Sequence, residues 1–363
     1  MGEEKWIHAA SKTYPVYIGQ NIWQEVGQTI LSALSSYSKV FVVTDQHVAA
    51  LHKEKLDAWL APLDEVIYYI TPNGEEAKSF AVYEDVMTRA IESGLDRKSV
   101  LLAFGGGVIG DLGGFVAATY MRGIPFYQLP TTVLAHDSAV GGKVAINHPL
   151  GKNLIGQFYQ PEAVLYDTGL LGTLPEREMR SGFAELIKHA LISDQQLLDT
   201  LITTYRKPED FYTHDLTAFL SQGIDVKAQI VAQDETEQGV RAYLNFGHTF
   251  GHALEACGGF KRWLHGEAII FGMLFALRMS GEQLNLAFDL ANFEAWLTDL
   301  GYETVLPQDV TFEKLYQNML HDKKTTYQEV KMVLLREIGD LVITPASESA
   351  LESIFQKMKR EGA

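Results

Sequence analysis

The chain has 363 residues, enough for roughly two domains with a core in each. Its formal net charge of −16 argues against non-specific binding to nucleic acid or to an anionic membrane, while leaving room for a locally basic pocket. The single cysteine, Cys257, excludes an intrachain disulfide and a cysteine-built structural zinc site; it reads as a small buried apolar residue. No basic-then-apolar leader pattern opens the chain, and no uncharged apolar run reaches the ~18–20 residues of a membrane span, so a cytoplasmic enzyme is expected.

Short β-rich runs alternate with helical patterns over the first half. Strands are predicted at 16–18, 40–44, 66–70, 100–104, 126–129 and 163–166, with helices over 47–60, 79–93 and 107–120. That rhythm predicts an α/β domain with a mainly parallel sheet. Near residue 170 it gives way to helices at 175–192, 216–233, 242–257, 266–286 and 289–300, with one small hairpin at 330–335 and 341–344. The expected division is an α/β dinucleotide-binding domain over 1–170 and a mostly α-helical domain over 171–363.

Strand 99–104 runs into Gly105-Gly106-Gly107-Val108-Ile109-Gly110-Asp111. A strand feeding a glycine-rich turn and a helix is how α/β proteins hold a pyrophosphate, because the backbone comes close and the helix N-terminus supplies N–H donors. The ordinary G-x-G-x-x-G spacing is absent. The candidate ribose acid, Asp45, ends an earlier strand, so strand order or docking should differ from the usual dinucleotide fold. An acid there favours NAD over NADP, whose 2′-phosphate it would repel. Plainer readings stand beside these: tight helix–sheet packing for the glycines, and a helix N-cap for Asp45.

Residues 130–153, PTTVLAHDSAVGGKVAINHPLGKN, place Lys143 after Gly141-Gly142 and Lys152 beside Asn153. Lysines flanking a strand-like run at 144–146 suggest a loop pair gripping phosphate or carboxylate, which Arg122 could join. Taken singly, each lysine reads as a solvated surface charge. Segment 180–190 sets Glu185, Lys188 and His189 at i, i+3 and i+4 on a helix. That is either a surface ion-pair cluster or, given Phe183, Ala184, Leu186 and Ile187, a partly buried face whose glutamate needs a partner. Lys227 and Asp234 lie seven apart on a later helix.

The densest stretch is 241–267, RAYLNFGHTFGHALEACGGFKRWLHGE, with His248, His252 and His265. His248 and His252 are four apart and share one helical face. His265 follows Gly258-Gly259 and opens an apolar run from which a second helix should pack back. Any one histidine reads as a satisfied core or surface residue; three together with an acid would suit a borderline metal such as zinc.

Taken in order, VTD at 43–45, PNGEEAKS at 72–79, GGGVIGD, PTTVLAHDSAVGGK, NHPLGKN, GFAELIKH, LNFGHTFGHALE, LHGEA and DKK resemble the 3-dehydroquinate synthase family over nearly the whole chain. The resemblance implies an N-terminal NAD-binding α/β domain, a C-terminal helical domain and a homodimer. It assigns zinc, with cobalt able to substitute, to Glu185, His248 and His265, and so makes His252 a substrate-facing neighbour, where spacing alone pairs it with His248. For NAD it points to Asp45, Glu75, Lys78, Gly106, Gly107, Val108, Asp111, Thr131, Thr132, Lys143 and Lys152. For the phosphorylated keto-acid substrate it points to Arg122 (reaching across the dimer), Asp137, Lys143, Asn153, Lys188, Lys227, Arg241, Asn245, His252 and Lys324. One departure is the absence of a glycine near Gln328.

Three alternatives stand against it. A sister sugar-phosphate cyclase, making 2-deoxy-scyllo-inosose or a valiolone, has a substrate without a carboxylate for Arg241 to meet. A metal-dependent alcohol or glycerol dehydrogenase needs no phosphate clamp. An inactive binding module would be expected to lack some metal or anion position, and none is missing.

Overall fold

The computed structural model describes residues 2–320 and 329–360. Along the chain, β1 (Glu3–His8) and β2 (Thr13–Gly19) are followed by α1 (Ile22–Glu25) and α2 (Gly27–Leu34). Then come β3 (Val40–Asp45), α3 (Gln46–Leu60), β4 (Val66–Thr71), α4 (Phe80–Glu92), β5 (Val100–Gly105), α5 (Gly107–Thr119) and β6 (Phe126–Pro130). A short α6 (Ala135–Ser138), the strands β7 (Lys143–His148) and β8 (Gly151–Phe158), and β9 (Ala163–Asp167) complete the β-rich half. The helices α7 (Glu176–Ser193), α8 (Gln195–Thr204), α9 (Asp210–Thr213), α10 (Thr217–Gln233), α11 (His248–Cys257), α12 (His265–Leu284), α13 (Leu290–Asp299) and α14 (Phe312–Leu320) follow. The strands β10 (Lys331–Glu337) and β11 (Asp340–Pro345) then precede α15 (Glu348–Arg360).

Two compact units result: Met1–Leu174 with Leu216–Thr236, and Pro175–Asp215 with Glu237–Ala363. In the first, a seven-stranded sheet runs β1-β2-β9-β6-β5-β3-β4, parallel throughout except for the β1–β2 pair. The central strands are apolar on both sides. On β3, Phe41 and Val43 join the core formed with α4 and α5, while Val40 and Val42 join the core on the opposite face. Burying each such side chain contributes about 1.5–3 kcal/mol, more than the ~1 kcal/mol span of strand propensities, so burial decides the register.

The contiguous division at residue 170 does not hold. Helix α10 belongs with the first unit, where it packs on β1 and β2: Lys5 Nζ lies 2.7 Å from Asp225 Oδ2, and Ser221 Oγ donates to Glu3. An amphipathic helix carries no label saying which sheet it will cover.

Three further differences are local. Strand β1 and the β7–β8 hairpin were not expected as such, because β8 is mostly exposed and lacks a strand-like apolar run. The predicted helix over 242–257 is broken: a 3-10 turn, Val240–Asn245, ends before Gly247, whose φ of 80° is left-handed, and α11 starts at His248. The helices α1, α2, α6, α8, α9, α14 and α15 were not predicted. The late hairpin lies where expected, as β10 and β11. No helix among the described residues is long and apolar enough to cross a membrane.

Candidate active site

In the first unit the chain passes from β3 to β4 on one side, then to β5 on the other, so the strand order reverses between β3 and β5. Ligands in open α/β sheets bind at the carboxyl ends of strands at such a switch point. Asp45 ends β3 there, and Gly105-Gly106-Gly107 ends β5 beside it, with Thr44 paired to Phe104. Gly106, Gly107 and Val108 are half-buried within an otherwise buried run, and no side chain caps α5. The first amides of α5 therefore lie in a half-buried turn with no side chain capping them, which fits a pyrophosphate. Asp45 also caps α3, accepting 2.9 Å hydrogen bonds from the His47 and Val48 amides through Oδ1, as the plainer reading of this residue expects.

Around that turn, Lys78 is 3% exposed and donates to Asp111 Oδ2 at 2.6 Å and to Asn153 Oδ1. Burial pushes the Asp111 carboxyl up, against the pull of Lys78. Glu75 accepts from Asn147 Nδ2 at 2.7 Å and lies 3.6 Å from Lys152 Nζ. Asn147 in turn accepts from the Asn153 amide, which fixes the hairpin turn; the sequence reading missed it. Thr131 and Thr132 follow β6 directly. Lys227 reaches from α10 to Asp137, whose Oδ2 is 3.3 Å away. Lys143 is exposed at the start of β7, and Arg122 is exposed in the left-handed region at φ 71°.

The second unit assembles the histidines with Glu185. On α7, Arg177, Ser181 and Glu185 are four apart and share a face, which meets the first turn of α12 residue by residue. Arg177 grips Glu267 through two 2.7 Å bonds, and Ser181 Oγ accepts from the Gly266 amide at 3.0 Å. Glu185 Oε1 lies 3.2 Å from His265 Nε2 and 3.5 Å from His248 Nε2. Two backbone contacts permit this, each next to a histidine in sequence. A Cβ on Gly266 would lie 1.9 Å from the Ser181 carbonyl oxygen, and one on Gly272 would lie 1.8 Å from that of Gly247. Only glycine allows helices to meet backbone to backbone at these points.

Ligand atoms of Glu185, His248 and His265 all lie within 4.8 Å of one another. Bonds of ~2.1 Å in a tetrahedral zinc site put ligand atoms roughly 3.4 Å apart, and 3.2 and 3.5 Å bracket that spacing. One carboxylate and two imidazoles suit zinc, and these residues fit it. Burial drives the His248 imidazole well below its ordinary 6.5, against the attraction of Glu185, so it is neutral at physiological pH. Burial would also lower His265, but Glu255 and Glu185 outweigh it and push that imidazole up to about 10.

Lys188, 1% exposed, is ion-paired with Glu185 Oε2. His252 is half-buried, its ring 5.2 Å from that of His248 and 5.8 Å from that of His265, and it groups with Glu255 and His265 instead of with Glu185. Arg241 is fully buried on the 3-10 turn, and Asn245 on the same turn donates to Glu237 at 2.8 Å. Glu255 and Glu237 were missed by sequence reasoning. Glu255 was accessible to it, being seven residues after His248 and so on the same helical stripe. Lys324 and the segment near Gln328 lie outside the described residues.

Residues 68–181 match the family model described as 3-dehydroquinate synthase N-terminal, and residues 182–325 the one described as 3-dehydroquinate synthase C-terminal. The chain is 67% identical over 356 residues to the 3-dehydroquinate synthase of Listeria monocytogenes serotype 4a (strain HCC23), covering 98% of each. Among solved structures, it is similar to 2-deoxy-scyllo-inosose synthase complexed with carbaglucose-6-phosphate, NAD+ and Co2+: TM-score 0.88, 25% identity, 98% of this chain and 100% of that one. It is also similar to 2-epi-5-epi-valiolone synthase from Streptomyces hygroscopicus subsp. jinggangensis 5008 with NAD+ and Zn2+ bound: TM-score 0.85, 26% identity, 95% and 96% covered.

Proposed function

The chain belongs to the 3-dehydroquinate synthase family, and we propose that it converts 3-deoxy-D-arabino-heptulosonate 7-phosphate to 3-dehydroquinate and phosphate, using NAD and zinc. The observation that carries this reading is 67% identity to a 3-dehydroquinate synthase across 98% of both chains, against 25% to the inosose synthase. Phosphate elimination makes the enzyme a carbon–oxygen lyase with no net oxidation.

Bound NAD supplies a reversible hydride acceptor at C5 of the substrate, whose ketone form acidifies C6 for loss of phosphate. Zinc held by Glu185, His248 and His265 supplies Lewis acidity towards adjacent hydroxyls. The chain's own residues position and neutralise. Asp45 takes the ribose hydroxyls, while Gly106, Gly107 and Val108 offer backbone N–H groups to the pyrophosphate. Glu75, Lys78, Asp111, Thr131, Thr132, Lys143 and Lys152 complete the dinucleotide site. Lys143, Asn153, Lys188 and Lys227 bind the substrate's polar groups and its phosphate, and Arg241 with Asn245 meets the carboxylate. Asp137 and His252 face the reacting carbons, and a partner copy's Arg122 closes the anion site. Holding both ends turns a flexible acid into a near-attack conformer and keeps one molecule bound through ring opening and the intramolecular aldol closure. Exposure of Arg122 supports its reaching outward in a homodimer. We place the enzyme in the cytoplasm.

The test is one assay with NAD+, zinc and the heptulosonate phosphate, following phosphate and 340 nm absorbance together. Phosphate release without net NADH is the expected result. NADH accumulating without phosphate would mean a dehydrogenase, and turnover of glucose 6-phosphate instead would mean a sister cyclase.

A further inference from the structure

The two histidines facing Glu185 are oriented in the same way through different acceptors. His248 Nδ1 lies 3.2 Å from the Phe246 carbonyl oxygen, which can only accept, so that nitrogen carries the proton and Nε2 is left facing Glu185. His265 also turns Nε2 to Glu185 Oε1, at 3.2 Å, but its Nδ1 meets a side chain: Glu255 Oε2, 3.4 Å away. Glu255 is 3% exposed on α11, in the stripe it shares with His248 and His252. A carboxylate is costly to bury, so its position calls for a role.

We propose that Glu255 is the positioning residue for the metal centre: it accepts the His265 Nδ1 proton, fixes the ring's tautomer and rotation, and thereby leaves Nε2 as the ligating atom. This inference rests on the metal reading of Glu185, His248 and His265. A histidine ligand held by a carboxylate through its other nitrogen is a better donor and needs no reorientation on binding; loss of such an outer partner typically weakens metal binding about 10–100-fold. The competing arrangement, in which Glu255 itself ligates together with His252 and His265, is also within reach of the same ring, their ligand atoms lying within 4.8 Å of one another, but it would leave Glu185 out of the ligand set.

The experiment measures zinc dissociation constants by chelator competition for the full chain and for Glu255→Gln, Glu255→Ala and Glu185→Gln, with the visible spectrum of each after cobalt loading. Glu255→Gln preserves shape and an acceptor oxygen, so it stays testable if the alanine variant fails to fold. Expected is a graded loss, about 10-fold for Gln and about 100-fold for Ala, with a shifted cobalt band and unchanged unfolding temperature of the metal-free Gln variant. Wild-type zinc affinity in both Glu255 variants would overturn the proposal. So would a loss in Glu255→Gln as complete as in Glu185→Gln, since that would make Glu255 a ligand. An unaltered chain that takes up no zinc would overturn the metal reading, and this proposal with it.

Discussion

Replacing Gly266 with alanine would put a methyl carbon 1.9 Å from the Ser181 carbonyl oxygen and 2.6 Å from its carbonyl carbon. Ordinary contact begins at 3.4 Å, so the overlap is about 1.5 Å, and both partners are backbone, which no rotamer change relieves. The first turn of α12 would have to back away from α7. A 1.5 Å retreat would widen the 3.2 Å gap between His265 Nε2 and Glu185 Oε1 towards about 4.7 Å, beyond what bonds of ~2.1 Å to a shared zinc can span. Overpacking of this kind costs about 1–3 kcal/mol, and the better helix propensity of alanine offsets at most ~1 kcal/mol of it. We expect a melting temperature lowered by several degrees and zinc affinity down at least tenfold. Gly281→Ala is the control: it sits on the same helix with nothing within 4 Å of a Cβ, and should be neutral or stabilising by up to ~1 kcal/mol. Calorimetric unfolding and chelator competition read both. Wild-type melting and zinc binding in Gly266→Ala would refute the claim that this contact sets the site.

Zinc uptake should be linked to protons. With its pKa pushed up to about 10, the His265 imidazole of the metal-free chain is protonated at pH 7.5 and must lose that proton to ligate, whereas His248, driven below 6.5, is already neutral. Binding should release about one proton, and apparent affinity should rise about tenfold per pH unit below pH 10; calorimetry in buffers of different ionisation enthalpy would show no release if this is wrong. Arg241→Ala should raise KM for the substrate at least tenfold while zinc affinity stays unchanged, and unaltered kinetics would remove Arg241 from the carboxylate site. Asp45→Asn keeps an acceptor for the His47 and Val48 amides but loses the charge, so NAD should bind more weakly at an unchanged melting temperature; Asp45→Ala should lose about 1 kcal/mol of stability as well.

Most strands and helices of the α/β half were legible because their signals are local. An apolar run such as VFVVTD is a strand wherever it folds, and Gly105–Gly107 after a strand opens a helix from its own backbone freedom. Where local pattern and long-range contact compete, the sequence misled. Residues 242–257 have helical spacing throughout, yet the helix is broken at Gly247, whose carbonyl abuts Gly272 on α12. Helix α10 reads like its helical neighbours but covers the sheet of the other unit.

The site divides along the same line. That the histidines matter was visible from their density, and the i, i+4 rule named His248 and His252 as the pair. The family resemblance already set His248 with Glu185 and His265, sixty-three residues before it and seventeen after, and folding brings those three together. Ring orientation was out of reach altogether, because Glu255 and Phe246 act through distances that spacing does not encode. The sequence by itself determined most elements of the parallel sheet, the glycine turn and the stock of metal-capable side chains, all of which depend on neighbours a few residues apart. Which of those side chains face one another was decided only in the tertiary structure, by two backbone contacts that exist because Gly266 and Gly272 have no Cβ to prevent them.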